Sequence, residues 1–316
     1  MFKQTLLVVL AVLFIQLPVF TKNIIYVKQG ADGKGTSWAD ATGDLQFALA
    51  NAKSGTDIWV SFGTYLPVRC NPCSEGDRSI SFIIPDGVKV IGGFKGNETR
   101  PGQRDWRKYP TRLSGNIGET HDSDNSYTIV YIKSVGRETI LDGLMLSDGR
   151  ALDRSAELGQ PQRSGGAMFI AGVTSKKQTK PTFVNCLFIN NYALEGGAVY
   201  NDGSEGVASP GFEDCIFTGN KAINKGGAIY NDAHCEAYIN YTQFNNNEAA
   251  YGACVFIDCS GKGMLPSFLH CTFVNNKAQY GGGLFYKGID HLPALRTSRF
   301  LNNRSEKGRD IFYTKT

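Results

Sequence analysis

Five stretches in the C-terminal half share one pattern: Phe, two residues, Asn, then a Gly eight or nine residues after the Phe and a short apolar run. They read CLFINNYALEGGAVYND, CIFTGNKAINKGGAIYND, TQFNNNEAAYGACVFID, CTFVNNKAQYGGGLFYK and SRFLNNRSEKGRDIFYT. Phe188, Phe217, Phe244, Phe273 and Phe300 mark periods of 29, 27, 29 and 27 residues. A period of this length with strand-like content belongs to a solenoid, whose units bury their apolar faces only against their neighbours. Gly165, Gly196, Gly226, Gly252, Gly281 and Gly308 align, which extends the register back by one coil. In that earlier coil Met145 and Asp148 are expected at the Phe and Asn positions.

A coil of this length accommodates three strands of four to six residues with three turns, and equivalent positions then stack roughly 4.8 Å apart. The Phe column would fill the tube. Asn191, Asn220, Asn247, Asn276 and Asn303 follow their Phe by three residues. Asn tolerates a left-handed bend, and its amide can bond to the Asn above and below, so this column reads as structural.

The chain begins with a basic residue, Lys3, and an apolar run from Leu6 to Ile15 that is too short to span a membrane. Residues 1–21 therefore read as a secretory signal, with residues 22–316 as one exported domain and no later segment long enough to cross a bilayer. Residues 22–57 read as a cap. Leu45, Ala48, Leu49 and Ala52 fall on one face of a short helix that ends at Gly55, ahead of a strand from Ile58. Regular coils are expected over about 140–316, and polar insertions near 97–109 and 150–164 interrupt the pattern. The 37 glycines favour one elongated domain, and a net charge of +4 gives no nucleic-acid surface. Arg100, Arg104, Arg107, Lys108 and Arg112 gather in a stretch broken by acidic and apolar residues, which reads as a solvated loop.

Six residues after the aligned Gly stand Asp202, Asp232 and Asp258, with Lys287 next. Stacked carboxylates crowd one another and raise their pKa values unless a cation intervenes. Such a column can divide acid and base roles in glycoside hydrolysis, or hold Ca²⁺ beside a Lys during uronate elimination, with His234 assisting. The competing reading is that Asp opens a turn by bonding to its own backbone. No other cofactor is implied, because GxSxG, Walker, HExxH and dinucleotide motifs are absent from suitable contexts. His121, His270 and His291 are scattered. Tyr192, Tyr251, Tyr280 and Trp106 are candidates to stack on sugar rings, with Tyr251 and Tyr280 forming a ladder.

Eight cysteines in an exported chain point to disulfides or buried thiols. Cys186 and Cys215 should lie on adjacent coils, either bridged or packed as thiols. CNPC at Cys70 to Cys73 is a loop CxxC, read as a staple or half a metal site.

Units such as CIFTGNKAINKGGAIY resemble the repeats of polymorphic outer-membrane proteins and of exported bacterial parallel β-helix proteins. IYVKQGADGKGTSWADATGDLQFALANAKSGTDIWVSFGTYLP, GGFKGNETRPGQRDW and TRLSGNIG are similar to the opening of secreted or surface-anchored Bacteroidetes-type members. The resemblance implies an all-β, right-handed, single-stranded parallel β-helix of the pectate-lyase-like kind, secreted or at the outer membrane. It points first to a non-catalytic, adhesin-like binding protein for glycans or envelope partners. A polysaccharide lyase or glycoside hydrolase acting on acidic polysaccharide, centred on the Asp column, is the second reading. A structural subunit of an outer-membrane assembly, associating through its C-terminal coil, is the third.

Overall fold

A computed structural model describes residues 23–67, 77–118, 123–174, 178–261, 265–292, 295 and 297–315. The expected signal segment, the Cys70–Cys73 pair and His121 lie outside them. The described chain winds as a parallel β-helix of about nine turns. Three stacks of eight strands and one of five form its walls, and every strand pair is parallel.

A regular coil has four strands, not the three the period suggested. Strands Thr182–Val184, Leu187–Ile189, Tyr192–Glu195 and Val199–Asp202 follow one another within one turn and give the tube a first, second, third and fourth face. The extra corner is cheap because it uses a single left-handed residue. Asn185, Asp214, Tyr241, His270 and Thr297 take φ between 47 and 70° where the first face turns into the second. The next corner uses Asn190, Gly219, Asn246, Asn275 and Asn302. The ladder Asn residues are therefore not the left-handed ones; each stands immediately after that residue.

Inside, the Phe column stacks with ring centroids 4.4 to 5.0 Å apart and planes within 8° of parallel. Each buried Phe contributes roughly 2–3 kcal/mol relative to exposure. Leu146, not Met145, pairs with Phe188, so the earliest regular coil sits one residue out of the expected register and Asp148 takes the left-handed corner at φ 70°. Asn191, Asn220, Asn247, Asn276 and Asn303 form a buried ladder. The side-chain oxygen of each of the last four accepts both the backbone N–H and the amide of the Asn one coil earlier, at 2.8 to 3.1 Å.

The disulfide expectation is not met among the described residues: six cysteines are free. Cys186, Cys215 and Cys271 share a column with Thr242 and Ser298, and each thiol donates to a first-face carbonyl one coil earlier. Thr242 directs its hydroxyl to Asn240 O at 2.9 Å, with Phe212 O of the earlier coil at 3.5 Å. The column asks for a small side chain with one donor, and Cys, Thr and Ser all supply it. Burial pushes the thiols of Cys215, Cys235 and Cys254 well up, so they stay protonated.

The cap helix spans Leu45–Asn51, with Asp44 accepting from Phe47 N and with Leu45, Ala48 and Leu49 buried against the first coils. No described helix is long and apolar enough to cross a membrane.

Candidate functional site

Strand alternation decides which side chains leave the tube. Val199 points inward, so Tyr200 and Asp202 point outward. Along the fourth face this places Asp202, Asp232 and Asp258 in one file, with Lys287 in register after Asp258. Asp202, Asp232 and Asp258 each accept a backbone N–H of their own turn, from Ser204, Ala233 and Ser260. Lys287 Nζ lies 2.8 Å from Asp258 Oδ2. Among the described residues no group of three or more His, Cys, Asp or Glu converges as metal ligands.

The carboxylates differ in charge balance. Burial, and then the charges of Asp202 and Asp258, raise the Asp232 carboxyl above its ordinary value. Burial acts the same way on Asp258, but hydrogen bonds from Lys287 and Ser260 outweigh it and hold that group low. The two therefore pull stability in opposite directions. Asp232 binds its proton more tightly in the fold, so its contribution falls as pH rises from the ordinary carboxylate value through the raised folded one. Asp258 stabilises above the ordinary value, and that stability is lost as pH falls through its lowered folded value. In thermal melts across pH, Asp232→Asn should stabilise the protein at neutral pH and Asp258→Asn should destabilise it, both effects vanishing in acid. Effects of the same sign for both variants at neutral pH, or the reverse of this order, would refute this assignment.

The remaining candidates are dispersed. His234 is exposed at a left-handed turn, φ 67°, with its ring against Gly261. Trp106 lies in the 97–109 insertion against Gly93 and Gly143, under Arg107, at the corner of the first and second faces. That insertion is tied down by Arg104, which bonds Gly92 O and Asp142. Trp106 therefore shares no surface with the Asp file. Tyr251 and Tyr280 do form a ladder, stacked at 5.1 Å and 6°. Tyr251 also sets its ring edge-on to Phe285 at 5.4 Å, so it covers part of the wall.

That wall holds residues the repeat pattern had hidden. Tyr131, Phe169, Tyr200, Tyr230, Phe256, Phe285 and Phe312 stand in register on the outer side of the fourth face. Five of them are buried in a cluster separate from the main core. The 150–164 insertion reaches this cluster: Arg163 grips Glu195 with two bonds of 2.9 and 3.0 Å, and Gly159 lies beside the Tyr200 hydroxyl. Further along, Lys225 sits over Phe256 at 5.0 Å. Burial, and then Asp232, raise the Tyr200 and Tyr230 hydroxyls, so both remain neutral beside the file.

The third face carries an open groove of about 690 Å³. Ala222, Ala249 and Ala278 are its least exposed lining. One rim is the column directly after the ladder Asn: Arg150, Tyr192, Lys221, Glu248, Lys277 and Arg304, paired strand to strand. Lys221 is 3.5 Å from Glu248, and the Tyr192 ring has Arg150 at 5.6 Å on one side and Lys221 at 5.8 Å on the other. Of these residues only Tyr192 stood out in the sequence. The others become visible when charges are read down the aligned repeats.

Comparison with known proteins supports the repeat. The model of the Chlamydia polymorphic membrane protein repeat matches residues 185–202 and 214–232. Each match opens on a left-handed corner, Asn185 or Asp214, and closes on a member of the Asp file. Among solved structures, the crystal structure of pectate lyase Pel9A is similar at 13% identity with a TM-score of 0.36, covering 92% of this chain and 80% of that one. The comparison with curated proteins gives no match. By its winding and its repeated units, the chain is a parallel β-helix repeat protein, two of whose units match the Chlamydia polymorphic membrane protein repeat.

Proposed function

We propose that this is an exported, surface-located binding protein that holds a glycan along the third-face groove. The observation that carries the reading is the groove itself: an elongated depression crossing successive coils, with alanines below and Tyr192, Lys221, Lys277 and Arg304 along its rim. A ring, several hydrogen-bond donors and a shallow open channel suit an extended chain of sugars better than a compact metabolite, which calls for an enclosed pocket. The repeat type supports a surface location, and the signal-like residues 1–21 support export.

The test is a panel of immobilised neutral and acidic polysaccharides probed with wild type and with Ala250→Trp, which fills the groove. Binding by wild type that drops at least about tenfold in a variant with an unchanged melting temperature is the expected result. Absence of binding across the panel, or full binding by Ala250→Trp, overturns the reading. Release of reducing ends or unsaturated product by wild type but not by Asp232→Asn would assign catalysis to the Asp file instead.

A further inference from the structure

Successive positions in the rim column are one strand spacing apart, so Arg150, Lys221 and Lys277 recur at every second coil, roughly every 10 Å. Arg304 follows one step after Lys277. The positions between the first three cations are not cationic. Tyr192 is neutral, and Glu248 is acidic and paired with Lys221. The neighbouring column adds Lys225 and Lys307 in register with Tyr251 and Tyr280. Glu195, the acid of that column, is committed to Arg163 and Asn224. Glu306 also lines the groove, so the lining itself is nearly balanced and the cationic excess lies along its rims.

Resting on the glycan reading above, we infer that the groove selects a linear anionic polysaccharide whose carboxylate or sulfate groups recur about once per disaccharide, laid parallel to the helix axis. Two coils advance by about the length of a disaccharide, so each charge would meet a Lys or Arg while the intervening sugar lies over Tyr192 or beside Glu248. Lys221 and Lys277 are exposed and act as hydrated point charges, which favours recognition by spacing over bidentate geometry. Glu248 supplies the selectivity. A polymer charged at every step, such as polyphosphate or single-stranded nucleic acid, must place an anion against it.

The experiment measures affinity for hyaluronan, carboxyl-reduced hyaluronan, chondroitin sulfate, dextran and polyphosphate, at low and at physiological salt. Wild type is expected to bind hyaluronan or chondroitin sulfate, and to lose affinity as salt rises. Hyaluronan carries only the carboxylate and chondroitin sulfate carries a sulfate in addition, so tighter binding of chondroitin sulfate assigns a contribution to the sulfate, and preference for either over dextran supports the inference. Lys221→Gln and Lys277→Gln should each weaken that binding about tenfold with unchanged melting temperature. Glu248→Gln should gain affinity for polyphosphate. Equal binding of hyaluronan and its carboxyl-reduced form, or of dextran, overturns the charge inference and leaves the glycan reading standing. Silence towards every polymer removes both.

Discussion

Asn247→Leu is expected to lower the free energy of unfolding by about 4 kcal/mol, whereas Asn246→Gly, one residue away, should change it by less than about 1 kcal/mol. Asn247 is fully buried, and its side chain closes bonds in three directions. Its oxygen accepts the backbone N–H of Asn220 at 3.0 Å and the Asn220 amide at 3.1 Å. Its own amide reaches Phe217 O at 3.0 Å and Asn276 Oδ1 at 3.1 Å. Leucine has the same heavy-atom branching but leaves the Asn220 N–H, one Asn220 amide proton and the Phe217 carbonyl without these partners. Each such buried group costs about 1–3 kcal/mol. Asn246 is exposed and serves through its backbone, φ 54°, where Gly219 already does the same task in the preceding coil. Chemical denaturation of both variants checks the contrast. Equal losses would mean that the two asparagines share one role.

That pair shows how far the sequence could be read. The repeat and its period were enough to give a β-helix, an inward Phe stack and a ladder of Asn, because stacking forces equivalent positions into register. The Asp file emerged from the same alignment, with Asp258 and Lys287 adjacent as expected. The fourth strand was illegible for a physical reason. One left-handed residue turns the corner, so a run such as VNCLFIN, with the bend at Asn185, reads as one continuous strand. The outer aromatic column was hidden because strands covered on both sides lose their alternation, as in AVYN with Val199 inside and Tyr200 outside. The groove was missed because its residues alternate in charge and cancel in any local count; only the column through Lys221, Glu248 and Lys277 exposes the spacing.

The aligned glycines predict a still larger effect, because they fix where the third face turns into the fourth. Gly252 has φ 64°, and a Cβ built there would stand 2.4 Å from Val255 O, a backbone atom of its own turn. The other aligned glycines show the same geometry, with the carbonyl three residues on at 2.2 to 2.4 Å. Relief requires opening the turn, which breaks the bond from Gly252 N to Tyr280 O and displaces the strand Val255–Asp258 beyond it. Gly252→Ala should therefore cost at least about 4 kcal/mol. Gly288→Ala is the control: φ is 77° there too, but nothing lies within 4 Å of the added carbon, so only the left-handed penalty of about 1–2 kcal/mol applies. Denaturation midpoints give the difference directly, and equal costs would remove the turn clash as the reason for glycine. Gly252 also stands between the groove strand Glu248–Tyr251 and the strand that ends at Asp258. Partial opening should thus weaken the proposed glycan binding and the Asp258–Lys287 pair together, coupling the groove and the Asp file through a buried residue that lies in neither.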